Sequence, residues 1–138
     1  MAGKSQVIYV ELDRLQPSQL YISQEKLSAV QGATDFSRPE GIRPIPVKEL
    51  GGLQVMTDGH TRAFAAYLAG LKDVPTYVDP DDLDWEAYQI CVDWCQAEGI
   101  HSVADLADRV VYAEDYERLW YDRCRAMQAD LAEKRRQE

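Results

Sequence analysis

The sequence predicts an α/β (α+β) fold in which a small mixed sheet with helices is followed by an all-helical C-terminal extension. Proline and glycine, which interrupt regular structure, concentrate in the first part of the chain. Every proline lies at or before Pro80, and Gly99 is the only glycine after Gly70. The apolar spacing also changes from short alternating runs to a helical period. We therefore predict a mixed domain over residues 1–80 and a helical extension, packed on it, over residues 81–138.

The charge of the chain divides at the same boundary. The 138 residues carry 24 acidic and 15 basic side chains, a net charge of -9. Residues 1–80 hold 8 basic and 9 acidic side chains, a net charge of -1, whereas residues 81–138 hold 7 and 15, a net charge of -8. This acidity disfavours sequence-independent binding to DNA, because such binding needs Lys and Arg to neutralise phosphates. The acidity of the chain does not exclude one local phosphate site.

The expected location is the cytoplasm, without membrane association. No apolar run approaches the roughly 20 residues that a membrane-spanning helix needs. Residues 1–6 lack the apolar stretch of a signal peptide. In the cytoplasm the three cysteines would stay reduced.

The first elements follow from local signals. Val7–Glu11 alternates apolar and polar residues and predicts a short strand, followed by a turn around Pro17. Ser23 has the side chain of a helix N-cap, and the helix it begins is predicted to run through Val30.

Glycines delimit the next elements. Two β-rich runs joined by Gly51-Gly52 predict a hairpin. A helical run ended by Gly70 follows, and then a strand. The predicted bounds are Ile45–Leu50 and Leu53–Met56 for the hairpin, Thr61–Ala69 for the helix and Val74–Val78 for the strand.

Helices are predicted throughout the C-terminal part. Asp84 can cap a helix that ends at Gly99. Ser102 begins a short helix with a spacing close to that of a capping box, and the last helix starts near Glu114. The first of these helices has an apolar stripe formed by Trp85, Tyr88, Val92 and Cys95.

The segment Asp58-Gly59-His60-Thr61-Arg62 lies between a strand and a helix and predicts an anion site. A helix N-terminus offers unpaired backbone N–H groups and a partial positive charge. Gly59 lets the backbone approach a ligand, and Arg62 can bind two phosphate oxygens with its planar guanidinium. The alternative is an ordinary helix start, with Asp58 as the cap and Arg62 as a solvated surface charge.

The other side chains of this segment suggest catalysis as well as binding. Thr61 can donate its hydroxyl, and His60 could donate to an oxyanion or exchange a proton near neutral pH. Asp58 would repel a phosphate unless it holds a metal ion, orients His60 or accepts a substrate proton. The predicted catalytic residues are therefore Asp58 and His60, with Asp58 also the predicted metal ligand.

The ordered set of segments over about residues 7–79 resembles the ParB/sulfiredoxin superfamily. Members share a small α/β fold and bind a nucleotide phosphate with a Gly-x-x-Arg turn, here Gly59 to Arg62. The resemblance therefore implies that Gly59, His60, Thr61 and Arg62 bind a nucleotide. The segments that carry it are residues 12–19, 25–30, 43–47, the Gly-Gly hairpin, residues 58–66, residues 68–71 and Val74-Pro75.

Three branches of this superfamily differ at the turn. Sulfiredoxins have a reactive cysteine just after the motif glycine, where this chain has His60, so sulfinic acid reduction is disfavoured. Partition proteins of the ParB type typically have Gly-Glu-Arg-Arg, bind CTP and continue into a DNA-binding helix-turn-helix. The free serine kinase branch has Asp-Gly-His, a polar residue and Arg, and this chain matches at Asp58, His60 and Arg62. The resemblance therefore implies ATP or ADP with Mg²⁺, and CTP is disfavoured.

One position departs from the kinase pattern. That branch uses an acidic residue shortly after the N-terminal proline as a candidate base, whereas Pro17 is followed here by Ser18 and Gln19. A glutamine cannot accept a proton at neutral pH, so Glu25 or Asp58 would have to act as the base.

Three hypotheses for function follow. The leading one is a nucleotide-binding protein that transfers phosphate from ATP or ADP to a small hydroxyl metabolite such as free serine. The second is a non-catalytic nucleotide sensor or protein-interaction module, in which the C-terminal helices bind a protein partner or a second copy of the chain. The third, a DNA-binding protein related to the partition proteins, is disfavoured by charge.

The cysteines allow a further alternative. A zinc site is one interpretation of the three cysteines with His101, and small apolar side chains on buried helix faces are the other. The usual closely spaced cysteine pairs of zinc sites are missing, which favours the second. The cysteines are Cys91, Cys95 and Cys124.

Overall fold

The computed structural model describes residues 6–138 as a mixed α+β structure, which confirms the predicted fold class. The strands are β1 (Ile8–Glu11), β2 (Leu15–Gln16), β3 (Ile22–Ser23), β4 (Ile45–Leu50), β5 (Leu53–Met56), β6 (Asp73–Val78) and β7 (Val110–Val111). The helices are α1 (Gln24–Ala33), α2 (His60–Leu68), α3 (Trp85–Ala97), α4 (Ala113–Tyr116) and α5 (Asp122–Gln137). Short 3₁₀ turns cover Leu12–Arg14, Pro39–Gly41 and Val103–Leu106, and a π-helical turn, Glu117–Tyr121, joins α4 to α5.

The main sheet has five strands in the order β1, β6, β4, β5, β2. Strand β6 pairs antiparallel with β1 and parallel with β4, while β5 pairs antiparallel with β4 and parallel with β2. Strands β3 and β7 form a separate parallel pair. Next to that pair, Ile22 donates its backbone N–H to the carbonyl of Arg109 at 3.0 Å. Backbone hydrogen bonds therefore connect the C-terminal part to the first part of the chain.

The Gly51-Gly52 turn joins β4 to β5 as the sequence predicts. Both glycines have positive φ angles, 56° and 81°, and the strands close on the pair Leu50 and Leu53. Positive φ at both central residues is the geometry that matches the right-handed twist of a two-residue hairpin.

The predicted helix ends are also present. The Ser23 hydroxyl accepts from the Lys26 N–H, and the Asp84 carboxylate accepts from the Ala87 N–H. Helix α1 extends to Ala33, beyond the predicted end. At the short helix predicted from Ser102, the capping box is complete.

Helix α2 is positioned by its C-terminal turn as well as by its start. Gly70 has a φ of 86°, its N–H donates to Tyr67, and the next N–H, that of Leu71, donates to Ala66 at 3.1 Å. These two bonds form a Schellman motif, which satisfies the last carbonyls of the helix. The turn at Gly70 therefore ends helix α2 at a defined residue.

One apolar core links the sheet layer with the C-terminal helices. Helix α2 buries four residues against it, Ala63, Phe64, Ala65 and Ala66. The same cluster includes Ile45 and Met56 from the sheet and Tyr116, Trp120 and Met127 from the C-terminal part. This continuity brings α3 and α5 close to the start of α2.

The last helix is also held by charge. The Arg135 guanidinium donates to both carboxylate oxygens of Asp84, at 2.9 and 3.0 Å, so the end of α5 lies beside the start of α3. Within residues 6–138, none of the helices has the length and apolar character required to cross a membrane.

Candidate functional site

The turn between β5 and α2 requires glycine at position 59. Gly59 has a φ of 76°, in the left-handed region that side chains with a Cβ rarely adopt. A Cβ there would lie 2.8 Å from Arg62 Nη2 and 3.3 Å from Ile45 Cγ2. The absence of a side chain therefore allows both the backbone turn and the close approach of the arginine.

Helix α2 begins with free backbone donors. Its first internal bond runs from the Ala63 N–H to the Gly59 carbonyl at 2.9 Å. No group in the described part of the chain accepts from the N–H of His60, Thr61 or Arg62, and Gly59 has no side chain that could cap them. These donors, at the positive end of the helix dipole, favour an anion.

Arg62 folds back over Gly59 and is incompletely satisfied. Its Nη2 donates to the Pro44 carbonyl at 3.2 Å. Its Nε is buried, and no group of residues 6–138 accepts a hydrogen bond from it. Burial lowers the pKa of Arg62, and the positive charge of Arg43 lowers it further. A partly buried guanidinium with an unused donor favours an oxyanion as its partner.

A second arginine lies beside Arg62. Arg43 and Arg62 line the same cavity of about 560 Å³, here called the arginine cavity, and neither forms a salt bridge with any described residue. The other lining residues are Ala29, Val30, Ala33, Thr34, Asp35 and Gly41. Two unpaired cations at one cavity favour a ligand with more than one negative oxygen. No local sequence signal predicts a role for Arg43.

His60 is buried, and its imidazole is already used. Its Nε2 accepts from the backbone N–H of Ser18 at 2.9 Å, and the Ser18 hydroxyl donates to the Met56 carbonyl at 2.7 Å. Burial lowers the pKa of His60 from 6.5 to about 4, and the Asp58 carboxylate opposes only part of that change. The ring is therefore neutral near pH 7, in contrast to the proton exchange that its residue type suggests there.

This environment predicts an acid-sensitive fold. Below about pH 6.5 the histidine of the unfolded chain takes up a proton, but the folded ring resists protonation until about pH 4. The unfolded state therefore binds more protons in this window, and the free energy of unfolding falls as the pH falls. Between pH 7 and pH 5 we expect a loss of about 2 kcal/mol in urea unfolding, attributable to this group.

The second histidine of the chain supplies a control for that measurement. His101 is exposed, so His101→Gln should keep the loss of stability between pH 7 and pH 5. His60→Gln should remove most of it. A loss that survives in His60→Gln and disappears in His101→Gln would contradict the assignment.

Asp58 and His60 line a second cavity. This cavity, here called the His60 pocket, has a volume of about 230 Å³. The first part of the chain contributes Ser18, Gln19, Thr57, Asp58 and His60 to its lining. Asp58 is exposed and is the only carboxylate among the lining residues. The predicted site residues therefore divide between two cavities, with Arg62 at one and Asp58 and His60 at the other.

The C-terminal helices form the opposite wall of the His60 pocket. Its remaining lining residues are Ala87, Tyr88, Cys91, Trp120, Cys124, Met127 and Gln128. The Tyr88 hydroxyl donates to the Thr57 carbonyl at 2.9 Å, which fixes α3 against the turn. The Thr57 hydroxyl donates to Asp79 Oδ2 at 2.6 Å. These residues meet only through tertiary packing, so no local sequence signal places them together.

The predicted metal ligands are not gathered into a cluster. No group of three or more His, Cys, Asp or Glu side chains among residues 6–138 is arranged to hold a metal ion. Cys91 and Cys95 are buried in the apolar core, and His101 is exposed. One carboxylate, Asp58, faces the His60 pocket, and a single carboxylate fits Mg²⁺ only if water and phosphate oxygens complete its shell.

Comparison with known proteins gives only distant similarity. No protein-family model and no curated protein matches the chain. Among solved structures, it is similar to protein Atu1540 from Agrobacterium tumefaciens, with 15% identity over 70% of this chain and 50% of that one, at a TM-score of 0.48. It is also similar to free serine kinase in complex with AMP, with 24% identity over 59% of this chain and 34% of the kinase, at a TM-score of 0.46. This chain thus spans half of the first protein and about a third of the second, and its function has to be inferred from its own residues.

Proposed function

We propose that this chain is a ParB/sulfiredoxin-like nucleotide-binding protein that transfers phosphate from ATP or ADP to a small hydroxyl metabolite such as free serine. The observation that carries the proposal is the buried Nε of Arg62, which has no partner among the described residues and lies at a helix start with free amides. A nucleotide phosphate would satisfy these donors together.

The phosphate side of the site is formed by the start of α2 and the two arginines. Arg62 would bind a phosphate oxygen with its unpartnered Nε, while its Nη2 keeps the bond to the Pro44 carbonyl. Arg43 would add a second positive charge from the same cavity. The Thr61 hydroxyl, which has no partner within residues 6–138, is a further donor at the first turn of the helix.

The hydroxyl substrate that accepts the phosphate would bind in the His60 pocket. Its volume of about 230 Å³ suits a small metabolite. Asp58 would accept the proton from the attacking hydroxyl, since no other lining residue is a carboxylate and His60 is neutral. His60 would act as a positioning residue, holding the Ser18 segment through the 2.9 Å bond.

Glu25 does not compete for the role of base. It is exposed, does not line the His60 pocket, and its Oε1 accepts from the Ser23 hydroxyl near the start of α1. When bound, Mg²⁺ would supply screening of the phosphate charge. Asp58 is the residue that could hold it, together with water and phosphate oxygens.

The proposal is tested by binding and turnover of the unmodified chain. Calorimetric titration with ATP, ADP and CTP, with and without Mg²⁺, should give binding of an adenine nucleotide. Incubation with that nucleotide and free serine should give phosphoserine, detected by mass spectrometry. Absence of binding by all three nucleotides would overturn the whole proposal, and binding without phosphoserine would remove serine as the acceptor.

A pair of glycine variants tests the geometry of the turn. Gly59→Ala adds a Cβ 2.8 Å from Arg62 Nη2 at a positive φ, whereas Gly70→Ala adds one at a similar φ with no atom within 4 Å. Both variants carry the backbone cost of about 1–2 kcal/mol, but only the first displaces the arginine. We expect nucleotide affinity to fall at least tenfold in Gly59→Ala and to stay within about twofold of the parent in Gly70→Ala. Equal affinities in the two variants would contradict the proposed role of Arg62.

A non-catalytic nucleotide sensor is the second candidate, and Gln19 favours it. At the position where the kinase branch has an acid, the Gln19 amide donates to the Tyr21 carbonyl at 2.8 Å and to the Tyr116 hydroxyl at 2.9 Å. These bonds give the Gln19 side chain a structural role. Nucleotide binding without phosphate transfer to a panel of small hydroxyl and amine acceptors would support the sensor.

A further inference from the structure

Two thiols line the His60 pocket on the wall formed by the C-terminal helices, and the proposed phosphate transfer uses neither. Cys91 lies on α3 and Cys124 on α5, and both line the pocket. Cys91 is 8% exposed and Cys124 is half-buried, so the second is the more accessible. The third cysteine, Cys95, is fully buried, and its Sγ approaches the Gln19 carbonyl at 3.7 Å.

Cys91 and Cys124 belong to helices that pack against each other, and both side chains line the same pocket of about 230 Å³. The neighbouring Cys91 thiol lowers the pKa of Cys124, as do the charges of Arg123 and Arg125, while burial opposes the change. The neighbouring Cys124 and burial raise the pKa of Cys91. The more accessible of the two sulfurs is therefore the better nucleophile.

We propose that Cys124 and Cys91 are an oxidisable pair, in which a hydroperoxide oxidises Cys124 and Cys91 then closes a disulfide between α3 and α5. The two side chains come from different helices and line the same pocket. A thiol on a half-buried position beside a second thiol is the arrangement of an oxidised cysteine with its resolving partner. Cys95 is excluded from the reaction by its burial and by its contact with Gln19.

The proposed oxidation has two steps. The Cys124 thiolate attacks the terminal oxygen of the hydroperoxide and the O–O bond breaks. The other oxygen leaves with the proton that the Cys124 thiol had released, as an alcohol, or as water when the oxidant is hydrogen peroxide. Cys124 is then a sulfenic acid. The Cys91 sulfur attacks the Cys124 sulfur, the S–O bond breaks, and the oxygen leaves as water with the Cys91 proton. Two thiols are oxidised by two electrons, and one hydroperoxide is reduced.

The first test maps the oxidised cysteines in the full chain. Reduced protein is treated with hydrogen peroxide, unreacted thiols are alkylated, and the protein is digested with chymotrypsin, since cleavage after Trp94 separates Cys91 from Cys95. We expect a Cys91–Cys124 cross-linked peptide, an alkylated Cys95, and reversal by dithiothreitol. Oxidation of Cys124 should be at least tenfold faster than that of Cys95. A bridge that contains Cys95, or equal oxidation of all three cysteines, would overturn the proposal.

Matched variants separate the two roles. Cys124→Ser should form no bridge, and Cys91→Ala should stop at a Cys124 sulfenic acid that dimedone traps. Cys95→Ala, the control, should form the bridge at the rate of the parent chain. A closed disulfide should also raise the melting temperature of the oxidised chain by about 5 °C or more, because it restricts the unfolded state. Bridge formation in Cys124→Ser, or loss of the bridge in Cys95→Ala, would contradict the assignment.

These outcomes are distinguishable from failure of the proposed function. The thiol measurements require neither nucleotide nor acceptor, so they stand if the chain binds no nucleotide. Conversely, a chain that phosphorylates serine but shows no Cys91–Cys124 bridge would refute the oxidisable pair and leave phosphate transfer intact.

Discussion

Replacing Asp58 with asparagine is expected to lower phosphate transfer to a hydroxyl acceptor at least about 100-fold, because the variant removes the proton acceptor of the His60 pocket. No other carboxylate lines that pocket. The imidazole of His60, whose Nε2 already accepts from Ser18, cannot substitute at neutral pH without losing that bond. The rate of phosphoserine formation at saturating nucleotide is the measurement.

The matched control is Asp82→Asn, an identical change at an exposed position outside both cavities. It should leave the rate within about twofold of the parent. A rate in Asp58→Asn that stays within threefold of the parent would remove Asp58 as the base.

Nucleotide binding by Asp58→Asn distinguishes a role of Asp58 as the base from a role as the Mg²⁺ ligand. If Asp58 acts as the base alone, Mg²⁺ should change nucleotide affinity equally in the parent and in Asp58→Asn. If Asp58 holds the ion, the variant should lose most of the Mg²⁺-dependent gain, since no cluster of three or more ligating side chains exists among residues 6–138 to replace it.

Local features of the fold could be predicted from the sequence because each depends on a few neighbouring residues. The hairpin required two glycines that tolerate positive φ, and the helix starts required Ser23 and Asp84 side chains that reach an N–H three residues ahead. The end of α2 required Gly70. These residues favour the same turn or helix end regardless of the sequence elsewhere in the chain.

The pairing of strands that are distant in the sequence could not be predicted from such local signals. Parallel pairing of β2 with β5 and of β3 with β7 joins segments about 40 and 90 residues apart, and nothing local specifies it. The π-helical turn at Glu117–Tyr121 was also not predicted, because an added residue in one helical turn leaves the apolar stripe almost unchanged.

The candidate site likewise combines residues that local signals predict with residues whose positions depend on tertiary packing. The segment from Asp58 to Arg62 was predicted from residue type and from its position before a helix. The positions of Arg43, Ser18 and Cys124 depend on how separate elements pack. The pKa of His60 depends on burial, which is a property of the whole fold and not of the motif.

The central claim is that Arg62 at the start of α2 binds a nucleotide phosphate, and titration of Arg62→Ala with ATP and ADP tests it most directly. The control, Arg118→Ala, removes the same charge from a side chain that is 64% exposed and lies outside the arginine cavity. We expect a loss of affinity of about 10- to 100-fold in Arg62→Ala, the range for a charge-assisted hydrogen-bonded contact, and no more than about twofold in Arg118→Ala. Affinity in Arg62→Ala equal to that of Arg118→Ala would contradict the account.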